Sequence, residues 1–255
     1  MSDRYSLLRL CSAICLVLIL VVSMNADATD TSTWREEVLL HDGSKIIVER
    51  TVERGGRHEI GQKSPYKEQR LSFTLPGTKQ TITWEDHYSE DIGTANFLPM
   101  ALDIVDGIPH LVVHPMGCLS YNKWGRPNPP YVIFQYQGNE WTRIASPELP
   151  ATITTPNLIV SMPDIVVEKL GTRFVSAAKI REVIDGYTQP EFKAILREAY
   201  PSGAGGCSEM IRTNDGWEGL GFLKHQPSYE ACVKYCARKG VNQQNCPCDT
   251  FFKGN

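Results

Sequence analysis

EEVLLHDGSKIIVER, residues 36–50, decides the fold class. Two apolar runs flank Asp42-Gly43, and glycine supplies the positive φ that a tight reversal between strands requires. The same arrangement recurs on either side. LSFTL (71–75) alternates Leu71, Phe73 and Leu75, and Pro76-Gly77 turns it into TITWE (81–85), where Ile82 and Trp84 alternate again. ALDIVDGIPHLVVH (101–114) reverses at Asp106-Gly107, and YVIFQYQGNEWTRI (131–144) reverses at Gly138-Asn139. The intervals are irregular, so no fixed repeat is present. The reading is an antiparallel β meander over 29–165 that closes into a barrel, a sandwich or a partial propeller. Between the hairpins, GGRHEIGQKSPYK (55–67) and YNKWGRPNPP (121–130) read as polar, Gly/Pro-rich loops.

Past Pro163 the period changes. Ser176 is placed to cap a helix carrying Ile180, Val183 and Ile184, which ends before Gly186. Thr188-Gln-Pro-Glu191 is a capping box that opens a second helix with Phe192, Ile195 and Leu196 on one face, stopped by Pro201. A helical segment therefore spans 166–201, and a cysteine-rich module spans 202–255, joined through the flexible stretch 202–207. The fold class is α+β, with strands first and short helices after.

At the other end, Arg4 and Arg9 precede the uncharged run Leu10–Val22, and Ala26 and Ala28 form an A-x-A exit. This is the pattern of a secretory signal peptide over 1–28, and the run is shorter than the ~20 residues of a membrane-crossing helix. An uncleaved N-terminal anchor over 10–22 is the alternative. The 255 residues are 42% hydrophobic and 22% charged, with a net charge of −3. That balance excludes fibrous and wholly disordered chains and lacks the basic excess of a nucleic-acid binder.

Six cysteines follow the leader: Cys118, Cys207, Cys232, Cys236, Cys246 and Cys248. An even number in an exported chain reads as disulfides, with fifteen pairings available. Ser228 and Gly240 bound a short helix that sets Cys232 and Cys236 one turn apart, a rise of roughly 6 Å. Cys246 and Cys248 flank Pro247 in an extended segment and project to one side, roughly 6.6 Å apart. The matched spacings favour a two-rung ladder, Cys232–Cys248 and Cys236–Cys246, leaving Cys118 for Cys207. A zinc site with four cysteine ligands is the competing arrangement.

The catalytic strings of zincins, P-loop proteins, α/β-hydrolases and dinucleotide-binding folds are missing. His58-Glu59 starts a zincin motif, but Gln62 stands where the second histidine belongs. His110 and His114 have a helical chelating spacing on a strand-like run, which would separate them by roughly 13 Å. Asp103 and Asp106 could pair as carboxylates, although the turn already accounts for Asp106. Cys118 with His114 as base is the one candidate thiol nucleophile, and an even cysteine count leaves no spare thiol. The loop at 121–131 is the richest in recognition chemistry: Tyr121, Trp124, Arg126 and Asn128, with Tyr131, offer aromatic faces and donors in a proline-stiffened segment.

The run LPMALDIVDG through HPMGCLSYNKWGRPNPPYVIFQYQGNEWTRI resembles uncharacterised exported proteins of Gram-negative bacteria. The resemblance covers roughly residues 34–200 and implies an envelope location. The expectation is a non-enzymatic periplasmic or secreted protein without cofactor or metal. It would bind an envelope protein or glycan through polar aromatic loops, without nucleic acid and without a membrane span once the leader is removed. The alternatives are a hydrolase working around Cys118 and His114, and a membrane-anchored accessory subunit.

Overall fold

The computed structural model describes residues 30–56, 58–199 and 206–252. The expected leader over 1–28, the anchor alternative at 10–22, the Pro201 stop and the joint at 202–205 lie outside the described residues.

Two antiparallel sheets carry the first half of the described chain. Strands β1 (Asp30–Leu39), β2 (Lys45–Arg54), β3 (Tyr66–Thr74) and β4 (Thr81–His87) form a meander, and a later two-residue strand, β9 (Phe174–Val175), runs parallel beside β1. Strands β5 (Phe97–Val105), β6 (Ile108–Pro115), β7 (Val132–Gln137) and β8 (Glu140–Ile144) form the second sheet. In β4 every other residue is buried, the period-two pattern of a half-covered strand. Val38, Val48, Leu71, Phe73, Ile82 and Trp84 of the first sheet meet Phe97, Leu102, Leu111 and Val113 of the second in one core. The meander is thus an open sandwich, not a closed barrel. Asp106 (φ 52°) and Gly107 (φ 76°) turn β5 into β6, and Gly138 (φ 62°) and Asn139 (φ 68°) turn β7 into β8. Both central residues of each turn are left-handed, the geometry whose twist matches paired strands.

The segment after 162 is not a separate layer. Helices α2 (Pro163–Leu170) and α3 (Ala177–Asp185) pack Val167, Ile180 and Ile184 against Trp34 and Val52 of the first sheet. Ser176 caps α3, its hydroxyl accepting from Lys179 N. The expected second helix is corrected to a single 3-10 turn, Pro190–Phe192. Tertiary bonds take the backbone groups that a helix would use. The Tyr131 hydroxyl meets Glu191 O and Ala194 O and accepts from Leu196 N, and Ile195 N donates to Thr154 O; the Arg197 side chain, donating to Leu149 O and Ile153 O, anchors the end of the stretch. Ile195 nonetheless reaches the core beneath the second sheet, beside Met100 and Ile133.

Two buried ion pairs fasten the return path. Glu36 and Arg50, 0% and 2% exposed, join at 3.0 Å, and Glu36 also accepts from Trp34 Nε1 and Ile159 N. Arg54 pairs with Asp164, which also accepts from the Tyr66 hydroxyl.

The C-terminal module has its own small core of Leu223, Val241 and cystine sulfur. It contains β10 (Met210–Thr213), β11 (Gly216–Gly219), α4 (Gly221–Lys224), α5 (Tyr229–Arg238) and α6 (Cys248–Phe252). Ser228 caps α5 by accepting from Ala231 N. At Gly240 (φ 74°) an added Cβ would fall 2.2 Å from Asn214 Oδ1, so only glycine fits the reversal. Cys232–Cys248 and Cys236–Cys246 are bridged with Cα–Cα distances of 6.0 Å each, and Cys118–Cys207 closes the third bridge. The extended segment expected through Cys248 ends early, because that cysteine already begins α6.

Candidate functional site

The loop expected to present ligand-binding residues is partly engaged in packing: Tyr121 is buried, Trp124 and Arg126 are half-buried, and Asn128 is exposed. Its first three residues belong to helix α1 (Gly117–Lys123), which carries Cys118 to within 5.3 Å, Cα to Cα, of Cys207. Tyr121 is 3% exposed. Asn122 Nδ2 donates to Cys118 O and Ser208 O, while its Oδ1 accepts from Met210 N and Arg126 Nη1. Arg126 donates to Cys207 O and Ser208 O, with its guanidinium over the Tyr121 ring. Trp124 lies 4.6 Å from Phe97, ring to ring, and donates to Asn96 Oδ1. Asn122 and Arg126 therefore tie the start of the C-terminal module to this helix, while Trp124 packs against the sandwich. Asn128 borders a second cavity of about 360 Å³ with Pro127, Pro129, Tyr131 and Arg143.

The candidate thiol is consumed, since Cys118 Sγ is bonded to Cys207. His114 is half-buried with its Nδ1 on Pro115 O and its ring against Phe192, and desolvation pushes its pKa below the ordinary imidazole value. His110 is lowered for the same reason and contacts Ile108 O and Gln135 Nε2 instead of His114. The sulfurs of Cys232, Cys246 and Cys248 gather within 4.8 Å, but all three are bridged and offer no thiolate to zinc.

A different group of residues does converge on a cavity. The β1–β2 turn supplies His41, and β5 supplies Asp103, so the two sheets are joined at the mouth of a cleft of about 350 Å³. Asp103 Oδ1 meets His41 Nδ1 at 2.7 Å and accepts from Ile104 N, while Oδ2 accepts from His41 N at 3.0 Å. That hydrogen bond, opposed by some desolvation, raises the His41 pKa above the ordinary value. With Nδ1 engaged, Nε2 is left as the ring nitrogen for a ligand. One wall is a polar segment containing Thr152, Thr154, Thr155 and Asn157. Asn157 fixes that wall to both sheets: its Oδ1 accepts from Leu102 N, and its Nδ2 donates to Leu39 O and Leu102 O. Helix α3 adds Ile180, Ile184 and Arg181. Among the described residues no hydroxyl is bonded to His41, and Thr154 Oγ1 and Thr155 Oγ1 lie 3.3 Å apart, bonded to each other.

Sequence reasoning passed over His41, because the adjacent Asp42-Gly43 turn already explained that stretch. Asp103 has His41 as its partner, not Asp106. The signal was an aspartate in the middle of an otherwise apolar strand, which has to meet a donor once buried.

Comparison with family models, curated proteins and solved structures finds no match. No helix among the described residues is long and apolar enough to cross a membrane.

Proposed function

We propose that this is an exported, disulfide-stapled protein that binds a small envelope ligand in the His41–Asp103 cleft without chemical change. Three disulfides support maturation in an oxidising compartment, and the pattern of Arg4, Arg9 and Leu10–Val22 supplies the route. The cleft carries the binding reading. It has the size of a small-molecule site, is walled by elements of both sheets and α3, and holds a few fixed polar groups over an apolar floor. Periplasmic or secreted placement follows from the same reading, with residues 1–28 removed.

The test is mass spectrometry of protein prepared natively from its producing cells. Intact mass should lack the leader and six cysteine hydrogens. Denaturation should release a small molecule from the wild type but not from Thr154→Trp, which fills the cleft. A wild type without ligand, or a variant that retains it at an unchanged melting temperature, refutes the reading.

A second reading rests on one observation. A carboxylate orients the His41 imidazole through Nδ1, the arrangement used by general bases. Since no protein nucleophile among the described residues contacts the ring, such chemistry would have to activate water. Turnover of a released ligand on incubation, abolished in His41→Gln, would favour it over simple binding.

A further inference from the structure

The lining of this cleft also discriminates among ligands, a selectivity that rests on the cleft being a binding site at all. The only carboxylate in the lining among the described residues is Asp103, and three donors already occupy it: His41 N, His41 Nδ1 and Ile104 N. A cationic ligand would find little acceptor capacity there. The donors are differently placed. His41 keeps Nε2, and its raised pKa extends the range over which that nitrogen carries a proton. Arg181 uses Nη2 on Asp185 Oδ1, and the rest of its five-donor fork has no partner among the described residues. Beneath these groups the accessible apolar surface is aliphatic, made by Leu39 and Ala177 over the buried Leu40, Ile180 and Ile184, and no Phe, Tyr or Trp ring among the described residues lines the cleft to stack on a sugar. Two donors at the rim and an aliphatic floor match an amphiphile with an anionic head.

We infer that the ligand class is an aliphatic carboxylate, its head held between His41 Nε2–H and the Arg181 guanidinium and its chain laid along Leu39 and Ala177. The groups around His41 set the limits. Asp42 and Asp106 lie close enough to raise its pKa along with Asp103. Both are turn residues, Asp42 accepting from Ser44 N, and water screens them more than it screens Asp103. Arg181 of α3 lines the same cleft, its charge shared with Asp185.

Hexanoate is the probe, with hexan-1-ol and hexylamine as its neutral and cationic counterparts, titrated into oxidised full-chain protein and followed by NMR. Hexanoate should shift the His41 Cε1–H and the Thr154 and Ile184 amides saturably. Hexan-1-ol and hexylammonium should bind at least roughly tenfold more weakly, the usual worth of a hydrogen bond to a charged group. Arg181→Gln, on an exposed helix face, should weaken hexanoate by a similar factor and leave hexan-1-ol unchanged. Hexanoate affinity should fall as pH rises through the His41 titration. Equal binding of alcohol and acid, tightest binding of the amine, or no effect of Arg181→Gln overturns the assignment. If Thr154→Trp loses its co-purifying molecule while hexanoate shifts nothing, the ligand class is wrong and the cleft stands. If neither responds, both readings fall.

Discussion

Arg50→Met tests what fastens the cleft's polar wall to the first sheet. Arg50 is 2% exposed and donates from Nη1 to Glu36 Oε1 at 3.0 Å and to Ile159 O at 2.7 Å. Methionine fills much of the same volume, so packing changes little. What changes is charge: Glu36, fully buried, loses its cation and keeps only the Trp34 and Ile159 donors. Breaking a buried pair on one side costs about 3–5 kcal/mol, and the orphaned Ile159 carbonyl places this case in the upper half of that range. A loss of about 4 kcal/mol corresponds to roughly 8–16 °C in melting temperature for a chain of this size. The assay is urea unfolding with disulfides intact, read as a shift in midpoint at constant slope. Glu36→Gln/Arg50→Met should recover part of the loss, because no charge is stranded, although the one amide oxygen replaces only one of the two carboxylate oxygens that accept from Trp34 Nε1 and Ile159 N. Amide exchange over 154–159 should quicken in the single variant. A loss under about 1 kcal/mol in Arg50→Met would refute the argument that this pair is electrostatically coupled and closed to water.

Trp124→Ala should cost about 3 kcal/mol in the same assay, because the ring packs on Phe97 against the sandwich core; an unchanged midpoint would return that residue to the surface. Cys118→Ser/Cys207→Ser opens a link across a sequence separation of 89 and should cost up to about 4–5 kcal/mol, with faster exchange at Met210, while Cys232–Cys248 and Cys236–Cys246 stay oxidised by mass. The His41 pKa is raised on folding, so its stabilising contribution is complete below about pH 6.5 and disappears as pH climbs through the folded value; Asp103→Asn should abolish this slope. His114 has the opposite sign. Its lowered pKa makes acidification below about pH 6.5 destabilising, and His114→Gln should flatten that limb of the curve.

What the sequence made legible was what local chemistry decides. Asp106-Gly107 and Gly138-Asn139 fixed two hairpins because their residue types take left-handed φ without help from the rest of the chain. Ser176 and Ser228 marked helix starts for a similar reason, and the matched reach of two cysteine pairs set the ladder. The misses came from distant partners. Thr188–Glu191 has the signature of a helix start, but Tyr131 and Thr154 compete for the backbone beyond it. Trp124 and Arg126 have the residue types of ligand contacts, and their packing on Phe97 and bonding to Cys207 come from parts of the chain that the local pattern does not show. His41 and Asp103 are 62 residues apart and become neighbours only when the two sheets stack, which no local pattern announces.

The Cys118–Cys207 bond makes the intervening chain a covalent ring. Thr152, Asn157 and Arg181 all ride on it, as do β7, β8, α2 and α3. A protease that nicks one exposed peptide within the ring therefore frees no fragment: both ends stay fastened at the sulfurs, and the nicked protein migrates as a single species until reductant is added. Such a nick would leave a scar without shedding the stretch that carries one wall of the cleft.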